Sequence, residues 1–226
     1  NEIGRCSIGL SKQRKPCDIV KGNNTVFFIK PKQVPPNRKV TYCNFVCTMR
    51  PNKSEVYRVR MTVGGDRLDA YQDVRSPAVS TLDAKLHINS TISDAHKGAR
   101  YCTAYIKDFF LCSTMQVYQY MRIHGRYIPP EVLDEYNLTS EHFDSKGFAY
   151  LKIRKGMYGL KEAAILAYDQ LKDHLEKYGY VPFKHTPGMW RHTTRPLTFT
   201  LAVDDFGIKY FSKQDADHLL SALQDK

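Results

Sequence analysis

Apolar residues alternate along some stretches of this chain and recur every three to four residues along others. The clearest alternation is Thr198–Phe211, TFTLAVDDFGIKYF. Phe199, Leu201 and Val203 fall on one side, and Thr198, Thr200 and Ala202 on the other. Asp204, Asp205, Phe206 and Gly207 interrupt the run before a second β-rich stretch, Ile208–Phe211. The pattern predicts a hairpin with the two aspartates at its tip and Gly207 supplying the permissive backbone. Other strand-like runs are Thr25–Lys30, Val40–Met49, Glu55–Val63, Ala99–Leu111 (turning at Lys107–Asp108), residues 116–124 and Phe148–Arg154. The proline-rich PKQVPPNRK separates the first two, and RPNKS makes a turn before the third. Residues 1–22 lack periodicity and are expected to form a loose lead-in.

Three longer helices and one short one are predicted. Ser80 and Asp83 suit a capped start, and Leu82, Leu86, Ala84, Ile88 and Ile92 form a stripe up to Ala95. Ala163, Ala167, Leu171 and Leu175 recur every four residues within Glu162–Tyr178, with Gly179 where a helix-terminating glycine belongs. Ser212 caps the last helix, whose expected buried side is Ala216, Leu219, Leu220 and Leu223. Residues 129–146 form a polar excursion with a short helix. Strands and helices mix without strict alternation, so the fold class is α+β.

Charge narrows the partners. The 226 residues include 34 basic and 23 acidic side chains, a net +11 with pI near 9.3. Such an excess favours polyanions. No apolar run approaches a membrane span, and NEIGRCSIGL does not read as a secretory signal. The six cysteines contain no CxxC pair, so reduced thiols in a cytoplasmic or nuclear, non-secreted protein are expected. In that setting the sequons at Asn23, Asn52, Asn89 and Asn137 carry little weight.

Candidate chemistry lies in four places. Asp204 and Asp205 offer hard oxygens suited to magnesium, with a plain polar turn as the alternative. Arg58 and Arg60 share one strand face, where paired guanidiniums clamp phosphate, or simply meet solvent. Lys152, Arg154 and Lys155 form a basic run suited to lining a duplex, or simply a solvated face. His185 and His192 flank the only tryptophan, Trp190, where packing is favoured over a metal site because no further donor has the spacing.

Four blocks taken in order, YRVRMTVGG, YIKDFFL followed by YQYMRI, IRKGMYGLKEA, and FTLAVDDFGIKY, resemble the reverse transcriptase of copia-type long-terminal-repeat retrotransposons. The resemblance covers residues 25–226. It implies fingers over residues 25–98 and a palm over 99–226, the palm containing the 125–147 excursion and the 198–211 hairpin, after a basic lead-in at 1–24. It implies that thumb, integrase and RNase H belong to a longer polyprotein of which this is a piece.

The resemblance also implies a chemistry. Two magnesium ions about 3.5–4 Å apart serve the transfer of a deoxynucleotide to a primer 3′-end on an RNA or DNA template. Asp204 and Asp205 match two of the three metal-binding aspartates. The third position holds Tyr105, a neutral phenol and a poor ligand, and the nearest acid is Asp108 three residues on, a possible substitute only if the backbone turns there. Phe110 falls where the family blocks a ribose 2′-hydroxyl. Arg58 and Arg60 fall where the fingers meet the incoming triphosphate. Gly159 and Lys161 keep a motif in which Glu162 replaces a glutamine that contacts nucleotide or template, and a carboxylate there should repel phosphate. The expectation is an RNA-directed DNA polymerase fold with impaired or absent activity, the alternative being a catalytically silent nucleic-acid-binding remnant. A metal-dependent nuclease is a weaker third reading that lacks the extra carboxylates it needs.

Overall fold

A computed structural model describes residues 6–8, 24–52, 56–69 and 74–225. The chain divides into two interleaved units: 1–11, 75–109 and 168–226 in the first, and 12–74 and 110–167 in the second. Hydrogen-bonded strands from distant parts of the sequence complete each sheet. Both units mix sheet and helix, and the described residues hold five α-helices, so the fold is α+β.

The first unit is built on six strands: β1 (Cys6–Ile8), β5 (Arg100–Ile106), β8 (Tyr180–Pro182), β9 (Met189–His192), β10 (Thr198–Ala202) and β11 (Asp205–Tyr210). Their order is β1-β5-β11-β10-β9-β8. β1, inside the expected lead-in, runs parallel to β5; residues 1–5 and 9–23 of that stretch lie outside the described residues. Helices α1 (Thr81–Ser93) and α5 (Lys213–Gln224) belong to this unit, with the later residues of α4 (Ala163–Glu176).

The two faces of this sheet differ in chemistry. One carries Phe199, Leu201, Phe206 and Ile208, all buried, and receives α4 and α5. There Trp190 stacks on Phe199 at 5.5 Å and 10°, and the Tyr168 ring of α4 meets Trp190 edge-on at 6.0 Å. Leu171 and Leu175 of α4, and Leu219 and Leu223 of α5, are buried as their spacing predicts, while Leu220 is only half-buried. Ser212 caps α5 by accepting the Asp215 N–H at 3.2 Å. Gly179 follows α4 at φ +81° and bonds back to Glu176.

The other face carries Thr198, Thr200, Tyr101 and Lys209, and α1 lies on it through His87 and Ser90. That chemistry inverts the helix. Its buried residues are His87 and Thr91, whereas Leu82, Leu86, Ile88 and Ile92 are exposed. The apolar stripe located the helix, and Ser80 caps it as expected, accepting the Asp83 N–H at 3.0 Å. The stripe does not mark the packed side, because a polar sheet face is covered by polar groups that can hydrogen-bond to it.

The second unit is a five-stranded sheet of β2 (Val26–Ile29), β3 (Val40–Met49), β4 (Tyr57–Val63), β6 (Thr114–His124) and β7 (Phe148–Lys155), ordered β2-β7-β6-β3-β4. Val26, Met121, Ala149, Leu151, Ile153 and Met157 fill its core. Its other helices are α2 (Phe109–Cys112), which straddles the division between the units, and α3 (Pro130–Glu135) in the polar excursion. Phe109–Leu111 is thus helical and not the end of a strand: the chain leaves β5 at Lys107, and Asp108 takes φ +56°. Residues 53–55, which include the last two of the RPNKS turn, lie outside the described residues.

Candidate active site

In the first unit β10 and β11 pair from Thr198↔Lys209 to Ala202↔Asp205, leaving Val203 and Asp204 as a two-residue loop. The expected hairpin forms, but its permissive backbone is not at Gly207. Val203 carries the positive φ, +61°, an uncommon and strained state for a β-branched residue. Gly207 lies within β11, where a Cβ would collide with the Tyr101 hydroxyl and the Thr200 Oγ1. Its small size serves the close approach of Tyr101.

Strand β5 runs beside β11. Tyr105 lies directly opposite Asp205, and the Ile106 N–H donates to the Asp204 carbonyl at 2.9 Å. Directly opposed residues share a sheet face. Asp205 and Tyr105 are exposed and Asp204 is half-buried, so all three reach the surface at one end of the sheet. Asp108 follows two residues after β5 ends and is half-buried; its positive φ supplies the sharp turn that breaks strand alternation. Among the described residues no three His, Cys, Asp or Glu side chains come together as a metal-binding group. For a divalent cation the tip offers two hard carboxylates and, from the neighbouring strand, a phenol, a weaker ligand than a carboxylate.

Charge on the same face is tightly held. Lys209 is nearly buried and donates to the Asp94 carboxylate at 2.7 Å and the Ser90 carbonyl at 3.0 Å. The Lys209 and Lys97 ammonium groups hold Asp94 down to about pKa 2. His87 shares a hydrogen bond of 2.9 Å with Thr198, and its other ring nitrogen is buried without a partner. Burial, aided by Lys209, lowers its pKa to about 4. His192 accepts N–H groups from Thr194 and Arg195 on Nδ1, at 3.1 and 3.0 Å, so that nitrogen serves the local turn. His185 is exposed, and Trp190 between them is wholly buried, in keeping with packing.

The second unit gathers the other candidates. Two blocks about ninety residues apart in sequence meet backbone to backbone. The Val63 N–H at the end of β4 donates to the Tyr158 carbonyl at 2.8 Å. Gly159 has φ +96°, and a Cβ there would strike the Val63 backbone; a Cβ on Gly65 would strike the Gly159 carbonyl. Lys161 donates to the Leu68 carbonyl at 2.8 Å, so its ammonium is already engaged. Glu162 is buried, with Gln119 donating to its carboxylate at 3.4 Å. The Glu162 carboxylate thus lies beneath the surface and faces an amide.

Arg58 and Arg60 share one face of β4, opposite Thr48 and Val46. Both are half-buried rather than fully solvated. The Arg60 guanidinium lies 5.2 Å from the centre of the Tyr158 ring, and that ring meets Phe110 edge-on at 5.3 Å and 77°. Sequence reasoning passed over Tyr158; the available signal was an aromatic directly before a glycine that needs positive φ. Lys152 and Arg154 lie over the rings of Tyr118 and Phe27 at 4.5 and 4.8 Å, giving β7 a cationic, ring-backed face.

No family model matches the sequence. No curated protein matches it either. Among solved structures, telomerase from Candida albicans, in complex with a TWJ fragment of telomeric RNA, is similar at a TM-score of 0.48 and 11% identity, over 92% of this chain and 42% of that one. The chain therefore spans less than half the length of that telomerase chain. No helix among the described residues is long and apolar enough to cross a membrane.

Proposed function

We propose that this chain is the fingers and palm portion of an RNA-directed DNA polymerase related to retrotransposon reverse transcriptases, with its polymerase chemistry weakened at one metal-binding position. One observation carries the reading: Tyr105 stands directly across from Asp205, at the place where the resemblance calls for a third aspartate. Asp204 and Asp205 would hold divalent cations through their carboxylates. When bound, the metal supplies Lewis-acid stabilisation of the transferring phosphoryl group and favours the primer 3′-alkoxide. Tyr105 adds neither charge nor a strong ligand, so the site keeps two of three carboxylates. That loss corresponds to a thousandfold or greater fall in rate, on the order of several kcal/mol. Template-primer and deoxynucleoside triphosphates are the partners this reading requires. An origin in a copia-type polyprotein with integrase and RNase H is supported by the four sequence blocks.

A second reading, a silent nucleic-acid-binding remnant, is favoured by the same phenol together with the net charge of +11. Primer extension with magnesium on a primed RNA template separates the two. Extension by the wild type, abolished by Asp205→Asn, supports a working polymerase. Extension only by Tyr105→Asp supports the weakened site. If neither protein extends the primer while both bind it, the remnant reading stands.

A further inference from the structure

Arg58 and Arg60 look equivalent in sequence, two residues apart on one strand face. The structure distinguishes them. Of the two, it is Arg60 that rests on an aromatic ring among the described residues, with its guanidinium carbon 5.2 Å from the Tyr158 centroid. Its Nε is buried and has no hydrogen-bond partner. A guanidinium is planar and weakly hydrated, so a ring beside it restrains it while its Nη groups can still meet an oxyanion.

Tyr158 is itself held from three sides. Its carbonyl accepts the Val63 N–H at 2.8 Å, the next residue is Gly159 in a conformation with no room for a side chain, and its ring stands edge-on to Phe110 at 5.3 Å. Phe110, Tyr158 and Arg60 therefore form one continuous chain of contacts. We propose that Tyr158 is a positioning residue whose ring presents Arg60, in preference to Arg58, to the phosphates of a nucleotide. This deepens the polymerase reading and rests on it. The two Nη groups, beyond the buried Nε, can each donate to an oxygen of one phosphate.

The test is binding of dATP and of inorganic tripolyphosphate to the full chain, followed by calorimetry at two salt concentrations. Arg60→Gln and Tyr158→Leu should each weaken binding by about tenfold, and the double variant should be no weaker than either alone. Tyr158→Phe should bind within twofold of wild type, while Arg60→Lys, which keeps the charge but not the planar fork, should lose affinity. Because Tyr158→Leu also disturbs packing, Arg60→Lys and Tyr158→Phe decide the matter in proteins whose melting points match wild type. The proposal is overturned if Arg58→Gln costs as much as Arg60→Gln, if Tyr158→Leu binds normally, or if the two losses add. A wild type that binds neither probe defeats the nucleotide reading and the proposal together. A wild type that binds while Tyr158→Leu is unaffected defeats the proposal alone.

Discussion

Tyr105 and Asp205 face each other across neighbouring strands, with the Asp204 carbonyl tied to the next residue of the tyrosine's strand. Introducing Asp at 105 would put a third carboxylate beside two others. Like charges directly opposed destabilise a sheet by some tenths of a kcal/mol up to about 1. Tyr105→Asp should therefore melt slightly lower than wild type without metal, and magnesium should raise its melting point more than it raises that of wild type. Calorimetric melts with and without magnesium check this; an equal response in both proteins would remove Tyr105 from the site.

The glycines separate conformational strain from collision. Gly98 has φ +91° but open space around it, so Gly98→Ala should cost about 1 kcal/mol. Gly159 has both a positive φ and the Val63 backbone in the way, so Gly159→Ala should cost about 3 kcal/mol or more. Gly207→Ala meets mainly the movable end of Tyr101 and should fall between them. Urea denaturation of the three variants gives the order.

Acid should unfold the first unit in two stages. His87 stays neutral in the folded protein down to about pH 4, against an ordinary value of 6.5. Below pH 6.5 the unfolded chain binds a proton that the folded one does not, so stability falls with pH until about 4. A displacement of about 2.5 units sets an upper size of about 3 kcal/mol. Burial also lowers His192 and His218, which adds loss in the same direction. Asp94, held near 2 by Lys209 and Lys97, contributes stability that disappears as pH drops from about 4 toward 2. His87→Gln should flatten the upper stage and leave the lower one, as read from chemical denaturation between pH 7 and 2.

The inversion of α1 gives a simple contrast. Leu82→Gln and Leu86→Gln, on its exposed side, should change stability by no more than about 0.5 kcal/mol. Leu171→Ala, at a wholly buried site on α4, should cost about 2–5 kcal/mol.

The sequence by itself located the longer strands, the caps at Ser80 and Ser212, the buried stripe of α4 and the acidic hairpin, because each depends on local spacing, a capping oxygen or a turn; it did not locate the short β1, β8 and β9. It failed where an element's surroundings decide. The apolar residues of α1 face outward because the sheet face beneath is polar, and no periodicity within the helix records what the sheet presents. Val203, not Gly207, carries the hairpin's strained backbone because strand pairing closes the loop to two residues. Only the tertiary structure sets Tyr105 against Asp205, buries Glu162 against Gln119 and threads Tyr158 between Phe110 and Arg60. Those relationships join residues from separate strands and turns, and register and packing, rather than neighbouring sequence, determine them.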